Sequence, residues 1–185
     1  IHIPVGQPVR FELSSTDVIH SFWIPKLGGK MDIIPGQTNV TWLQADQPGI
    51  YRGQCAVFCG AEHARMGLYV IAQSRQDFRA WQERQIEDAL PPVSADAKHG
   101  QQVFQQHCAA CHTIRGSDAG GLVGPDLTHL MTRRMLAAGV LTNTPGNLAG
   151  WVVHPQTIKP GSRMPDQMLS GPQLAALMAY LKTLR

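Results

Sequence analysis

Four cysteines fall in two close pairs, and each pair has histidine beside it and methionine within reach. Cys55 and Cys59 have three residues between them, and His63 and Met66 follow. Cys108 and Cys111 have two between them, and His112 follows at once. A pair of disulfides has no use for such neighbours, whereas a soft metal ion uses both. The segment Cys55-Ala56-Val57-Phe58-Cys59-Gly60-Ala61-Glu62-His63-Ala64-Arg65-Met66 offers two thiolates, one imidazole and one thioether. That set favours copper, zinc or an iron–sulfur cluster over magnesium or calcium. Zinc takes four strong ligands and no Met. A mononuclear blue-copper site takes one Cys with two His and a weak Met. The surplus thiolate has a task if both bridge two copper ions, and each copper then needs an imidazole. His63 is one. His20, in Asp17-Val18-Ile19-His20-Ser21-Phe22-Trp23-Ile24-Pro25, is the best candidate for the other, because a strand-like run breaks there into a loop. His2, at the free end, is a poor one.

Cys108-Ala109-Ala110-Cys111-His112 is the signature of covalent c-type haem attachment. Its thiols add to the porphyrin vinyl groups, which places the adjacent His under the iron. The second axial ligand is to be chosen among Met131, Met135, Met164, Met168 and Met178. Met178 belongs to the apolar stripe of a terminal helix. Met131 and Met135 sit in an Arg-containing segment, and Met168 lies just before the last helix. Met164 stands in Lys159-Pro160-Gly161-Ser162-Arg163-Met164-Pro165, where two prolines stiffen the loop. Such a loop can hold a thioether against iron, so Met164 is the choice.

Different elements position these two sets. In the first half Val9, Phe11 and Leu13 alternate with polar residues, as do Val40 and Trp42, and Leu68 and Val70 resume the theme. With turns at Gly28-Gly29, Pro35-Gly36 and Pro48-Gly49, this predicts an all-β sandwich or barrel. Ser74 with Asp77 makes a capping box for one helix, whose Phe78, Trp81 and Ile86 fall near one face, with Phe78 and Trp81 packing on the sheet. Ala89-Leu90-Pro91-Pro92-Val93-Ser94-Ala95 reads as a short stiff linker, with a domain boundary near residue 92. The second half is helical. One helix leads into the haem signature, and Leu174, Leu177, Met178, Leu181 and Leu184 form the stripe of another, opened by Ser170-Gly171-Pro172.

Composition narrows the function. The chain has 185 residues, with Lys+Arg 16 against Asp+Glu 13 for a net charge of +3, too mild for nucleic acid. The excess positive charge lies after residue 90, where 8 basic side chains face 4 acidic ones. The longest run without Asp, Glu, Lys or Arg, Met135 to Ile158, contains Pro145 and Pro155 and reads as no membrane helix. There is no nucleophile elbow, no phosphate-cradling glycine loop and no convincing Ser/His/Asp set. Two sites closed by their ligands describe a relay of electrons better than a catalyst.

The segments Val18–Pro25, Lys30-Met31-Asp32-Ile33-Ile34-Pro35-Gly36 and Cys55-x3-Cys59-x3-His63-x2-Met66 resemble the CuA domain of cytochrome c oxidase subunit II. The resemblance covers nearly all of residues 1–72. It implies a cupredoxin-like Greek-key β-barrel with a mixed-valence two-copper centre. Cys55 and Cys59 would bridge it, and His20 and His63 would each bind one copper. Met66 would be a weak ligand to one copper, and the backbone carbonyl of Val57 would serve the other. The family usually has Glu or Gln at that position, where a Glu also reaches a magnesium ion. Val57 has no side-chain oxygen to offer it.

Residues 95–185 are similar to class I cytochrome c, an all-α domain. By that resemblance the Pro125 carbonyl in Gly124-Pro125-Asp126-Leu127 would accept from the axial His112, and Trp151 would pack on the haem. Arg133, Arg134 and Arg163 would either neutralise haem propionates or remain solvated. The expected organisation is therefore a CuA domain over 1–91 and a cytochrome c domain over 92–185.

The fusion resembles subunit II of caa-type oxidases. It implies electron flow from a donor to haem c, then to CuA, then to haem in subunit I, where oxygen is reduced. Partners would be subunit I, other membrane subunits and an upstream cytochrome or quinol-oxidising complex. The family has membrane helices before the position of Ile1, which implies a membrane-anchored protein facing the outside of a bacterial cytoplasmic membrane. Alternatives are the same relay in a CuA-containing nitric oxide reductase, a copper–haem nitrite reductase, or a copper carrier.

Overall fold

The alternation Val9–Leu13 becomes strand β2, whose register with strand β5 (Asn39–Leu43) defines one wall of the first unit. The computed structural model describes residues 1–185. The other wall is a five-stranded sheet. It contains β1 (His2–Pro4), β3 (His20–Trp23), β4 (Met31–Ile33), β6 (Gly49–Cys55) and β7 (Gly67–Gln73), in the order β1-β7-β6-β3-β4. β1 pairs with β7 in parallel, and the remaining pairs are antiparallel. The two walls meet across Phe11 and Phe22, whose ring centroids are 5.4 Å apart. Ile3, Ile24, Leu43, Val70 and Ala72 fill the core beside them.

In β5 the inward face is not the one expected. Phe11 lies opposite Thr41 and Val9 opposite Leu43, so this set faces the core. Strand period two then turns Val40 and Trp42 outward, with Trp42 64% exposed. The register of the partner strand outweighs the hydrophobicity of two side chains.

Helix α1 (Arg75–Ile86) starts where Ser74 Oγ accepts from the Asp77 N–H at 3.1 Å. Its Trp81 ring stacks on His2 with centroids 4.2 Å apart, and Phe78 lies against Trp81. Ile86 does not share that face and is 81% exposed. It comes five residues after Trp81, which at ~100° per residue turns it about 140° away.

The second unit is built on α2 (Ala95–His107) and α5 (Gly171–Leu181). Ser94 caps α2 by accepting from the Ala97 N–H. Ser170 and Gln173 cap α5 reciprocally in a capping box. Phe104 and Tyr180 meet edge to face, and Val103, Ile114, Leu177, Leu181 and Leu184 complete the core. α3 (Pro145–Val153) and the short α4 (Pro155–Ile158) lie between. The unit is predominantly helical and not all-α. β8 (Met135–Leu136) pairs with β9 (Leu141–Thr142) in a small antiparallel ribbon, which two-residue strands give no periodicity to announce.

The chain divides into two compact units, Ile1–Arg84 with Ala138–Val140 and Gln85–Ala137 with Leu141–Arg185. The division falls upstream of Pro91-Pro92 because residues 85–89 bond to Arg115 of the second unit. No helix is long and apolar enough to cross a membrane.

Gly100 marks the crossing of α2 and α5. A Cβ there would lie 1.9 Å from the Ala176 carbonyl oxygen. Gly100→Ala is expected to force the helices apart and destabilise the second unit by about 1–3 kcal/mol or more. Thermal unfolding followed by circular dichroism checks this, and an unchanged transition would contradict the close packing.

Candidate metal centres

Three strand ends converge at the first site. His20 opens β3, Cys55 closes β6, and β3 pairs with β6 so that Phe22 lies opposite Cys55. The loop from Ala56 to Met66 joins β6 to β7, and its two ends are tied by Cys55 N–H donating to Met66 O at 3.0 Å. Ala56 N–H donates to Ser21 O at 3.0 Å, which fixes the loop to β3. Within it the backbone reverses at Gly60, whose φ of +120° excludes most side chains. A 3₁₀ turn over His63–Arg65 then aims His63 back at the cysteines.

Cys55 Sγ and Cys59 Sγ come to rest 3.7 Å apart. His20 Nδ1 lies 3.9 Å from Cys55 Sγ, and His63 Nδ1 lies 3.6 Å from Cys59 Sγ. Met66 Sδ is 3.9 Å from Cys59 Sγ, and the Val57 carbonyl oxygen is 3.2 Å from Cys55 Sγ. The donor atoms of His20, Cys55 and Cys59 all fall within 4.8 Å of one another. Each thiol thus has one imidazole at its side, with a thioether on one flank and a carbonyl on the other. All four cysteines of the chain are free thiols.

The electrostatics suit metal uptake. Burial works to raise the Cys55 thiol, but hydrogen bonds at the Ser21 and Val57 backbone and from the two histidines prevail and bring it down to about 6. Cys59 is pushed up to about 11 by burial and by the neighbouring Cys55. The first proton therefore leaves easily, and the second leaves when a cation neutralises the pair.

Sequence reasoning missed Asp17. Its Oδ1 accepts from His20 Nε2 at 2.9 Å, leaving Nδ1 turned to the thiols. Ser15 Oγ donates to the same carboxylate at 2.8 Å. Hydrogen bonds from His20 and Ser15 hold Asp17 well below the usual carboxylate range. A carboxylate behind a ligating imidazole fixes its tautomer and orientation. Asp17→Asn is expected to weaken copper binding ~10–100-fold, as loss of such a partner does elsewhere. Competition with a chelator of known affinity measures it, and unaltered affinity would remove Asp17 from the site.

The second site begins where α2 ends, at Cys108. Cys108 is half-buried and Cys111 exposed, with burial pushing the Cys108 thiol up to about 11. His112 Nδ1 donates to the Pro125 carbonyl at 2.8 Å, so Nε2 is the nitrogen left for iron. Gly124 permits this approach, since a Cβ there would lie 2.5 Å from the imidazole ring. Trp151 is half-buried on α3. Met164 is half-buried in a loop that Gln156 braces by donating to the Ser162 and Met164 carbonyls, each at 2.6 Å. Met178 is packed in the core, Met131 lies against it, and Met168 is 97% exposed. Arg133 is engaged with the main-chain oxygen of Asp126.

Both donor sets fit their groups. Soft thiolates, imidazoles and a thioether suit copper. Two thiols followed by an imidazole fixed through its other nitrogen suit a covalently attached haem.

Asp126 anchors the Pro125 loop. Burial opposes its charge, but the Thr128 hydroxyl and N–H and the Arg115 guanidinium outweigh burial and lower its pKa from 3.8. A carboxyl lowered in the folded state contributes stability that is present above pH 3.8 and lost as the pH falls through the folded value. The second unit is therefore expected to lose stability on acidification below about pH 4 more steeply than Asp126→Asn does. Thermal scans of both proteins from pH 6 to 3 read the difference, and parallel curves would refute it.

Residues 1–73 match the family model "Cytochrome C oxidase subunit II, periplasmic domain", and residues 97–185 match "Cytochrome c". The chain is thus a two-module redox protein, an oxidase copper domain followed by a cytochrome c domain. It belongs to the cytochrome c oxidase subunit II family. It is similar to cytochrome c oxidase subunit 2 of Alkalihalophilus pseudofirmus, 42% identical over 187 residues, covering 100% of this chain and 54% of that one. Subunit 2 of Bacillus sp. strain PS3 is 36% identical over 196 residues, covering 99% and 54%. Among solved structures, the periplasmic domain of subunit II of cytochrome oxidase from Bradyrhizobium japonicum matches with a TM-score of 0.44 and 37% identity, over 45% of this chain and 61% of that one. The chain spans about half the length of the curated relatives it matches. The oxidase domain implies copper and the cytochrome c domain implies haem.

Proposed function

We propose that the chain is the electron-transfer part of a terminal respiratory oxidase, taking electrons from a donor and delivering them to subunit I. One observation carries this reading: two thiols 3.7 Å apart, each flanked by its own imidazole. One copper ion has no use for that symmetry, whereas two bridged ions do. Two coppers on the first site and a covalent haem on the second would supply the one-electron redox chemistry.

The protein's own residues hold both groups in fixed surroundings. Cys55, Cys59, His20, His63, Met66 and the Val57 carbonyl would hold the two copper ions, with the two thiolates shared between them. Asp17 keeps His20 oriented. Cys108 and Cys111 would attach the haem, and His112 and Met164 would be the ligands to its iron. The Pro125 carbonyl, by accepting from Nδ1, would make His112 a stronger donor to iron, and Trp151 would pack on the haem. With those positions filled, neither metal site would leave room for a substrate, and the reduction of oxygen would fall to subunit I. The first domain is read as a Greek-key barrel over residues 1–91, followed by the cytochrome domain over 92–185. The protein is read as membrane-anchored, with both domains on the outer face of the bacterial cytoplasmic membrane. Its partners are subunit I, the other membrane subunits and a donor cytochrome or quinol-oxidising complex.

The test is the electron paramagnetic resonance spectrum of the copper- and haem-loaded chain after oxidation. The expected spectrum has copper hyperfine structure shared over two nuclei beside a low-spin ferric haem. A mononuclear copper signal would overturn the bridged pair. A high-spin haem would overturn the closed iron site and return an enzymatic role to the second unit.

A further inference from the structure

Arg115 lies three residues after His112 and reaches in two directions. On one side its Nη1 donates to Asp126 Oδ2 at 2.8 Å. On the other its Nη2 donates to the carbonyls of Gln85 at 2.5 Å and Glu87 at 3.0 Å. Its own carbonyl accepts from the Ala89 N–H at 3.0 Å. Gly116, with a φ of +80°, completes the seat, because a Cβ there would lie 2.9 Å from both Ala89 O and the Asp88 Cβ. His129, which is buried, donates from Nδ1 to the Arg185 carbonyl at 3.0 Å and accepts at Nε2 from Arg115 Nη2 at 3.1 Å, which steadies the guanidinium. Residues 85–89 are therefore seated on the haem-bearing unit by the Arg115 guanidinium together with its main-chain carbonyl.

The other arm of Arg115 ends beside the haem ligand's partner. Asp126 follows Pro125, whose carbonyl accepts from His112. The loop is held on that side by Arg115–Asp126 and by Arg115 N–H donating to Thr128 Oγ1 at 2.9 Å. Asp126 Oδ1 also accepts from Thr128 N–H at 2.7 Å, and Leu127 N–H donates to Thr113 O at 2.8 Å. A planar, forked, permanently charged group suits such a double role, and a lysine cannot reproduce it.

We infer that Arg115 is a positioning residue for the axial His112, and that it links the seating of segment 85–89 to the strength of the His112–Pro125 hydrogen bond. This rests on the haem reading of the second unit. The segment is the covalent connection to the copper-bearing unit, so the connector is part of the apparatus that sets the electron affinity of the haem. When the Pro125 carbonyl is well placed, His112 is the more basic ligand, which favours ferric iron. When it drifts, the basicity falls and ferrous iron gains.

The experiment uses the full haem-loaded chain with Arg115→Ala, Arg115→Lys and Asp126→Asn. Midpoint potential is read by redox titration, the His112 Nδ1–H by proton exchange in nuclear magnetic resonance, and the connector by limited proteolysis within residues 85–92. Arg115→Ala is expected to raise the potential, speed Nδ1–H exchange and open the connector to protease, with the low-spin spectrum kept. Arg115→Lys should give part of each effect. Asp126→Asn should raise the potential and speed exchange while the connector stays protected. Should Arg115→Ala fail to fold, Asp126→Asn still decides the haem-side arm and Arg115→Lys the connector. Wild-type potential and exchange in Asp126→Asn would overturn the inference, as would an opened connector with an unmoved potential in Arg115→Lys. Failure of the unaltered chain to take up haem would overturn the haem reading instead.

Discussion

Cys59→Ser leaves a chain that holds at most one copper ion, more weakly by over ~100-fold, since even an outer hydrogen-bond partner is worth ~10–100-fold. Cys59 Sγ stands 3.7 Å from Cys55, 3.6 Å from His63 Nδ1 and 3.9 Å from Met66 Sδ, so its loss removes the centre of that half of the site. Serine is nearly isosteric, but its hydroxyl remains protonated where the thiol would ionise. Cys55 with His20 and the Val57 carbonyl still offers one copper a place. The expected spectrum changes from a pattern shared over two nuclei to a mononuclear one, with copper content halved by elemental analysis. Two coppers retained with an unaltered spectrum would show that Cys59 does not bridge. The β-sheet is expected to survive, because Cys59 lies in the loop outside the core formed by Ile3, Phe22 and Val70.

Met164→Ala converts the haem from low spin to high spin and lowers its potential, because thioether ligation is what raises it. Three of the four rival sulfurs are placed less suitably. Met178 is committed to the core among Leu177 and Leu181, and Met131 packs against that core. Met168 is 97% exposed. Met164 sits in a loop whose backbone Gln156 braces twice, which gives its side chain a fixed origin. Optical absorption of the ferric protein reads the change directly, and Met168→Ala serves as the control with an unaltered spectrum. The reverse pattern would move the axial ligand four residues downstream. The covalent attachment through Cys108 and Cys111 keeps the haem in place in both variants, so loss of ligation is separable from loss of haem.

The donor set of the first site is legible in the sequence because four of its side chains lie within residues 55–66. Thiol, imidazole and thioether at those spacings have few other uses. His20 is legible only because the chemistry demands a second imidazole. The structure then brings it 3.9 Å from Cys55 through the β3–β6 pairing. Asp17 and Arg115 are illegible for a shared reason: acidic and basic residues are common, and their partners are fixed by tertiary geometry. The strand period is legible in β2, where polar residues mark the outer face. It misleads in β5, where the partner strand decides which of two plausible faces is buried. The helix starts at Ser74 and Ser170 are legible because each cap involves residues only three apart; the full reciprocal box forms at Ser170 with Gln173, whereas the Ser74 hydroxyl accepts from the Asp77 N–H and donates to the Asp77 carboxylate. Ile86 is not, because a helix face drifts once the packing surface ends.

The placement of His20 on one strand, and of the other candidate side-chain ligands at the end of another and in the loop after it, has a consequence for assembly. Residues 55–66 can seize a copper ion as an unfolded stretch, since two thiols, an imidazole and a thioether are already contiguous there. An ion caught this way lacks His20, which arrives only when β3 docks beside β6. Metal that binds the unfolded chain also weakens the stabilisation metal gives the native one. Copper bound before the sheet forms would thus be a trap, and docking of β3 beside β6 would have to come first.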